Sequence, residues 1–463
     1  LSVFAAGEIR DYRRDRDAEA AARVRLNHAG LHPTGQMTES QLVPEHTRDW
    51  RRFVVETVPA LEAEGWRVSV ARGFPWRVVT PEQWQAETQA RQPGWFGFGL
   101  TIEVEGERHP VMPLLLALIR DNPEAMATRH IDAIDPQSSL LVDLGDGRLV
   151  PIPAGRLIPL LRGLTELYDP TTQLRDGQLV LPTARAGVLD DLEQAEEQAL
   201  QWQDKAGVRG LGAALNGCEP AIDPPATPPG LRGELRPYQR EGVAWLQRLA
   251  RLGLGGVLAD DMGLGKTLQV IAHLLIEKAA VRASAPSLIV VPTSLLFNWQ
   301  REVEQFAPDL QVLRLHGPQR HADHGRLGDH DLVLTTYSLV VRDIAALQAQ
   351  AWHLLVLDEA QAVKNPRAQA ARAVRTLTAS QRLSLTGTPL ENHLGELWSQ
   401  FDFVVPGLLG AASGFKRLYR RPIEEAGDHS RLTALRERVA PFLLRRTKGA
   451  IAEALPAKTA IPV

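Results

Sequence analysis

One eight-residue segment, Asp260-Asp261-Met262-Gly263-Leu264-Gly265-Lys266-Thr267, limits what this chain can fold into more than any other. It stands directly after the apolar run Val257-Leu258-Ala259 and directly before a helical apolar pattern that begins at Leu268 and covers 268–277, so its context is strand, loop, helix. Such a loop aims backbone N–H groups and a helix N-terminus at phosphate, with Lys266 reaching the outer phosphates and Thr267 holding Mg2+. In the strict pattern G-x-x-x-x-G-K-[ST] the first position is glycine, whereas this chain has Asp260. An ordinary glycine turn capping a helix therefore stays open beside the phosphate loop.

Apolar runs at 255–259, 287–291, 332–335, 354–357 and 382–386 alternate with longer amphipathic stretches. Runs without polar alternation suit strands covered on both faces, and the intervening helices supply the crossovers of a parallel sheet. The predicted fold of this half is a doubly wound α/β domain. Ligands of such sheets bind beyond the carboxyl ends of the strands, and two of the runs end in polar words. After 354–357 comes Asp358-Glu359-Ala360-Gln361, where one carboxylate suits a metal's coordination shell and the other suits orienting or deprotonating an attacking water. Taken alone, Asp-Glu after a strand is more often a helix N-cap with a solvated neighbour; its place downstream of the phosphate loop reverses that. After the last run comes Thr386-Gly387-Thr388-Pro389, whose hydroxyls can bridge two adjoining sites and which as a lone motif is simply a turn.

The rest of the chain is organised differently. Between Gly217 and Gly230 lie five prolines, which forbid a helix or central strand and predict a linker over 217–232. Residues 1–216 read as a mixed α/β accessory region, in which two subdomains can be drawn. Strand-like runs at 66–70 and 100–104 meet turn signals at Glu105-Gly106, Asp146-Gly147 and Asp176-Gly177, with helical patterns at 111–120, 158–168 and 189–202. Hydrophobic residues at 44% and charged residues at 23% place the chain among soluble globular proteins. No apolar run reaches the ~20 residues that span a bilayer. A single cysteine, Cys218, excludes an internal disulfide and a cysteine-based zinc site, so the expected setting is a reducing cytoplasm. The formal net charge of −3 hides an asymmetry: residues 231–463 carry 29 Lys+Arg against 22 Asp+Glu, leaving 23 against 33 for residues 1–230. Either the second half meets nucleic acid or both are ordinary solvated surfaces.

The phosphate loop, the acidic pair and the Thr386 turn, in this order, resemble helicase superfamily two. The flanking words narrow the resemblance to the switch/sucrose-nonfermenting (Swi/Snf-type) ATPases and their bacterial relatives. Those words are Leu235-Arg236-Pro237-Tyr238-Gln239-Arg240-Glu241-Gly242, the Asp260 to Thr267 loop itself, Asp358-Glu359-Ala360-Gln361 (a DEAQ box) with Lys364-Asn365, Thr386-Gly387-Thr388-Pro389 with Glu391-Asn392, and Leu444-Arg445-Arg446-Thr447-Lys448. The family tolerates an acidic residue at the Asp260 position. The resemblance covers about residues 231–463 and implies a RecA-like ATP-binding lobe over 233–455, with a helical protrusion at about 394–450.

The resemblance implies roles residue by residue. Gln239 matches an adenine-reading glutamine, Met262 to Leu268 the nucleotide-binding loop, Thr267 and Asp358 the Mg2+ site, and Glu359 the water-activating carboxylate. Gln361 links the nucleotide to the Thr386 turn. Pro292, Thr293, Ser294, Thr335, Thr336, Tyr337 and Thr388 match segments that hold DNA backbone phosphates through main-chain N–H and hydroxyl groups, contacts that position without reading sequence. Lys416, Arg417, Arg420, Arg421, Arg445, Arg446 and Lys448 either add phosphate contacts or form a solvated face. The implied partners are double-stranded DNA and a second RecA-like lobe. Because Leu1 is not Met and 456–463 reads as the start of a connection, both ends are expected to be cut, and this fragment to bind ATP weakly and hydrolyse it poorly without that lobe's arginines. The implied function is ATP-driven translocation along duplex DNA. Two alternatives stand: a strand-separating DNA or RNA helicase, and a non-catalytic DNA-binding scaffold with a structural nucleotide pocket.

Other features are read more plainly. His316, His321, His324 and His330 crowd one stretch with Asp323 and Asp329, but their separations match no common zinc pattern, and a solvated loop is expected. Trp95, Phe96 and Phe98, and likewise Trp245, Trp299 and Trp398, are expected in the core. Residues 1–216, too acidic to clamp DNA, are expected to regulate the chain or to bind a protein partner.

Overall fold

The computed structural model describes residues 227–363, 365, 368–387 and 394–451 of the second half, and in the first half 2–5, 8–11, 15–33, 42–44, 50, 53–69, 74, 76–92, 94–121, 131, 133–158, 161, 174, 176–187, 189 and 200–215.

In the second half the apolar runs become one seven-stranded sheet. Its strands, numbered in chain order, are β1 (Gly256–Leu258), β2 (Ser287–Val291), β3 (Val312–Arg314), β4 (Leu332–Thr336), β5 (Trp352–Leu357), β6 (Ala379–Leu385) and β7 (Leu443–Leu444). They lie in the order β3-β4-β2-β5-β6-β1-β7, every pair parallel. Burial alternates face by face rather than inside to outside. Leu258, Ile289, Val291, Leu354, Val356 and Leu385 pack with α1 (Pro237–Arg251), α2 (Lys266–Ala279) and α3 (Leu296–Phe306). Val257, Leu288, Val290, Leu355 and Leu357 pack on the other side with α4 (Tyr337–Arg342), α5 (Ile344–Gln348), α6 (Gln369–Thr376) and α7 (Leu394–Val404). Two covered faces leave no solvated side along a strand, so apolar residues predominate on both and the runs read without alternation, with the few polar residues such as Gln381 and Ser384 buried among them.

Two strands were not expected. β3 is a three-residue edge strand, too short to show a pattern. β7 lies within the helical protrusion expected at about 394–450: helical segments fill Leu394–Val404, 412–426 and, as α8, His429–Val439, but Leu443 and Leu444 leave the protrusion and pair with Val257 and Leu258. The chain after the protrusion is thereby brought beside the phosphate-loop strand.

In the first half Trp95–Val104 is the long strand of a mixed sheet, antiparallel to Gln83–Ala90 and to Leu179–Pro182. It turns through Glu105 and Gly106, both at positive φ (53° and 78°), as a two-residue hairpin loop requires, into Glu107–Pro110. Phe96 and Phe98 are buried as expected. Residues 66–69 form no strand, and Trp202 lies in the strand Gln201–Asp204 rather than in a helix. Residues 217–226 of the linker and most of 159–173 and 190–199 lie outside the described residues. Among the described residues no helix is long and apolar enough to cross a membrane.

Among the described residues the two halves meet where Ala184 and Leu215 join the buried cluster of the second half and around the turn at Gly407 and Leu408. Arg185, 5% exposed, donates from Nε and Nη2 to the Leu408 carbonyl at 2.9 and 2.7 Å, and the Trp95 ring lies against Gly407. A guanidinium bonded to a carbonyl in a buried contact contributes about 1.5–3 kcal/mol. Arg185→Ala is expected to lower the urea midpoint of unfolding accordingly, and an unchanged midpoint would show the contact to be energetically neutral.

Candidate nucleotide site at the carboxyl edge of the sheet

Strand register sets the site. Leu258 of β1 pairs with Leu385 of β6, Ser384 of β6 with Leu357 of β5, and Leu357 with Val290 of β2. The residues following these strands, namely the 260–267 loop, Asp358-Glu359, Thr386 and Pro292 to Ser294, therefore emerge along one edge. The phosphate-loop strand and the acid-bearing strand are separated by β6 alone.

The loop opens into α2, whose first-turn N–H groups have no intrahelical acceptor. Gly263 and Gly265 take φ of 84° and 75°, values that side chains resist, and a Cβ at Gly265 would collide with the Gln239 amide. Gln239 is held at both ends, accepting from the Arg236 backbone N–H at 2.9 Å and donating to the Leu264 carbonyl at 3.3 Å. Lys266 donates from Nζ to the Asp260 carbonyl at 2.7 Å, so its cation lies folded on its own loop. Burial pulls the Lys266 ammonium below the usual lysine range, while Asp358, Glu359, Asp260 and Asp261 favour its charge.

Asp260, the departure from the strict pattern, has a definite partner. Its φ is not positive, so glycine is not required there, and its fully buried carboxylate accepts from Arg446 Nε at 3.0 Å, Arg446 Nη2 at 2.5 Å and the Arg446 backbone N–H at 3.0 Å. Arg446 Nη2 also donates to Gln269 Oε1 at 2.7 Å, and the same guanidinium reaches the Tyr238 carbonyl. Arg446 follows β7 and is only 11% exposed in its side chain, so it is a brace of the phosphate loop and not one of the exposed cations of the protrusion. Lys416, Arg417, Arg421, Arg445 and Lys448 are exposed, and Arg420 pairs with Glu424.

The carboxylates face the loop from β5 and α3. Asp358 is 7% exposed, with Oδ2 accepting from Trp299 Nε1 at 2.7 Å and Oδ1 from the Glu359 N–H at 2.9 Å. Burial raises its carboxyl above the usual range, against the donation from Trp299. Glu359 sits at a φ of 48°, a conformation side chains rarely adopt, and its Oε2 accepts from Gln361 Nε2 at 2.6 Å. Gln361 Oε1 in turn accepts from the Thr386 hydroxyl at 3.4 Å, which joins the acidic pair to the end of β6.

Two participants escaped sequence reasoning. Trp299 is core, as expected, but its indole N–H holds Asp358. Glu302, half-buried, lies near Thr267 and Asp358; burial together with the Asp358 charge raises its carboxyl, against the influence of the Thr267 hydroxyl. The signal was available in part: a buried indole N–H needs an acceptor, and residue i+3 shares its helix face. Thr267, Asp358 and Glu302 form a set of hard oxygen donors that fits Mg2+. Because Mg2+ binds the ionised carboxylate, it is lost as pH falls through the raised Asp358 value. Trp299→Phe removes a donor that lowers that value. It is expected to weaken Mg2+-dependent ATP binding by ~10–100-fold, the usual effect of an outer-sphere partner, and to move the pH midpoint of binding upward. Calorimetry across a pH series checks both.

The residues matched to a DNA path divide. Pro292, Thr293 and Ser294 emerge at the edge, the latter two exposed. Thr335, Thr336 and Tyr337 are buried and their hydroxyls are engaged inside the fold, Thr335 on the Leu315 carbonyl, Thr336 with Ser338 and Tyr337 on the Asp358 carbonyl at 2.7 Å. Each of these three hydroxyl oxygens thus has an internal partner in this structure. Thr388 lies outside the described residues.

Residues 238–462 match the family profile described as SNF2-related domain. A Bacillus subtilis protein named as an ATP-dependent helicase/translocase, YwqA, is 43% identical over 278 residues, covering 59% of this chain and 29% of its own length. The Zorya protein ZorD of Escherichia coli O139:H28 is 41% identical over 253 residues, covering 48% and 23%. A structure of the Sulfolobus solfataricus SWI2/SNF2 ATPase core in complex with dsDNA aligns with a TM-score of 0.47 at 41% identity, over 51% of this chain and 49% of that one. The chain spans less than a third of the length of the curated relatives it matches.

Proposed function

From the premise that the chain carries an SNF2-related domain over residues 238–462, we propose that it belongs to an ATP-driven motor that holds and moves along double-stranded DNA. The observation that carries this is the convergence of Lys266, Thr267, Asp358 and Glu359 on one edge of a parallel sheet, with Gln239 locked beside the loop. The loop N–H groups and Lys266 bind the phosphates of ATP, Thr267 and Asp358 hold the Mg2+ that offsets the charge developing on them, and Glu359 takes a proton from the attacking water. Gln361 keeps Glu359 aimed and reports its position to Thr386. The exposed Thr293 and Ser294 and the exposed cations of the protrusion serve the DNA backbone, in keeping with the excess of basic residues in this half and with the helicase/translocase naming of YwqA.

The test has two arms on the chain itself. Mg2+-dependent ATP binding is expected and should vanish in Lys266→Ala, where the ammonium that faces the phosphates is gone. Duplex DNA should bind with little sequence preference and with an affinity that falls steeply as salt rises. Failure of the first arm removes the nucleotide site, and failure of the second leaves a nucleotide-binding module with another partner. Translocation is separated from strand separation by presenting triplex and blunt duplex to the motor, since a translocase displaces only the third strand.

A further inference from the structure

We propose that His321, His324 and Asp343 form a binding site for a divalent transition-metal ion of the zinc class, built from the connections on either side of β4. The histidines belong to the 3-10 segment Pro318–Asp329 between β3 and β4, in which residues three apart eclipse one another. Their rings accordingly stand 5.1 Å apart, edge to face. Asp343 comes from a different place, the junction of α4 and α5, and its carboxylate is fully buried beneath them. His321 Nδ1 and His324 Nε2 each lie 3.8 Å from Asp343 Oδ1, and the three ligand atoms fall within 4.8 Å of one another. A tetrahedral zinc-class ion with bonds of ~2.0–2.2 Å spans ligand pairs roughly 3.4 Å apart, so each histidine–aspartate pair closes by about 0.4 Å and the widest ligand separation, at most 4.8 Å, by up to about 1.4 Å, a movement taken up at His321, which is the exposed member.

A second observation points the same way. His324 Nε2 is buried without a hydrogen-bond partner among the described residues, an unfavourable arrangement unless something else occupies the nitrogen. Arg320 bonds Asp343 from Nε to Oδ2 at 2.6 Å and from Nη2 to Oδ1 at 3.0 Å. It fixes the carboxylate and leaves Oδ1 with a free lone pair toward the imidazoles, which is how outer-sphere donors orient metal ligands. Because Arg320 already balances Asp343, the attraction for a cation comes chiefly from two neutral imidazoles. That donor set selects zinc, cobalt, nickel or copper over the Mg2+ and Ca2+ that prefer oxygen shells. The fourth position is left to water. The sequence concealed the site because its carboxylate is neither Asp323 nor Asp329 of the histidine-rich stretch but lies beyond β4.

The probe is Co2+ added to the tag-free, chelator-treated chain, read by its visible d–d absorption, followed by displacement with Zn2+. One equivalent of Co2+ is expected to bind, Zn2+ should remove the absorption, and Zn2+ should raise the melting temperature. His321→Ala and His324→Ala should each weaken the metal by at least the ~10–100-fold that even an outer-sphere partner contributes, and should abolish the shift in melting temperature. His330→Ala, whose ring bonds the Arg326 carbonyl outside the triad, should change nothing. Asp343→Ala strands Arg320 and can unfold the segment, so the imidazole variants decide. Absence of the absorption band, or a band and melting shift that survive in His324→Ala, overturns the site.

Discussion

Glu359→Gln is expected to leave Mg2+-dependent ATP binding within about twofold of the parent and to slow ATP hydrolysis in the presence of duplex DNA by ~10²–10⁴-fold, the usual contribution of a positioned general base. The exchange keeps the size and shape of the side chain and removes only its capacity to take a proton. Its environment favours this clean separation. Glu359 is held at a φ of 48° by the junction it occupies, its N–H is fixed on Asp358 Oδ1 at 2.9 Å, and its side chain is bonded to Gln361 at 2.6 Å. A glutamine can preserve the bond to Gln361, since both amides contain a donor and an acceptor. Lys266→Ala supplies the contrast, because it should abolish binding itself. Single-turnover hydrolysis with calorimetric binding measures the two quantities apart. Unchanged hydrolysis in Glu359→Gln would sink the motor and favour a scaffold whose nucleotide pocket is structural.

The parts of this fold that were legible share a physical cause. Continuous apolar runs predicted strands buried on both faces because the covering helices leave no solvated side, and Glu105-Gly106 predicted a turn because few residues accept two successive positive φ values. The site was legible where chemistry is local in sequence: the loop around Lys266 and the pair Asp358-Glu359 each announce themselves within a few residues. What stayed hidden depends on distance along the chain. Trp299 and Glu302 act on Asp358 and Thr267 through packing of α3 against β5, and Asp343 meets His321 and His324 only after the chain has passed through β4. Thr335 and Tyr337 show the reverse case, in which a motif is present but the fold turns its hydroxyls inward. Strand β7 was missed for a third reason, since two residues are too few to carry a period.

The largest stability effect is expected from Arg446→Ala. Asp260 is fully buried, and Arg446 supplies two side-chain donors and one backbone donor to it. Removing the guanidinium leaves a carboxylate inside the fold with Gln269 Nε2, at 3.2 Å, as its remaining side-chain donor. Truncating one partner of a buried ion pair costs ~3–5 kcal/mol, chiefly through the charge left behind. Urea unfolding should therefore show a much lower midpoint, and ATP binding should fall with it, because the same pair ties the start of the phosphate loop to β7. Removing both charges is a different matter: a buried pair replaced by groups without charge is often neutral or stabilising. Asp260→Gly restores the strict phosphate-loop pattern, and since φ at Asp260 is not positive the backbone gains nothing from glycine except freedom. Asp260→Gly combined with Arg446→Met should thus recover most of the stability lost in Arg446→Ala, while Asp260→Gly alone should remain impaired with Arg446 stranded. A double-mutant cycle on unfolding free energy measures the coupling, expected at up to about 3 kcal/mol for groups in one hydrogen-bonded network. Additive effects would mean that the acidic residue at the head of the loop and the arginine after the protrusion are neighbours without being partners, and that the loop is shaped by Gly263 and Gly265 alone.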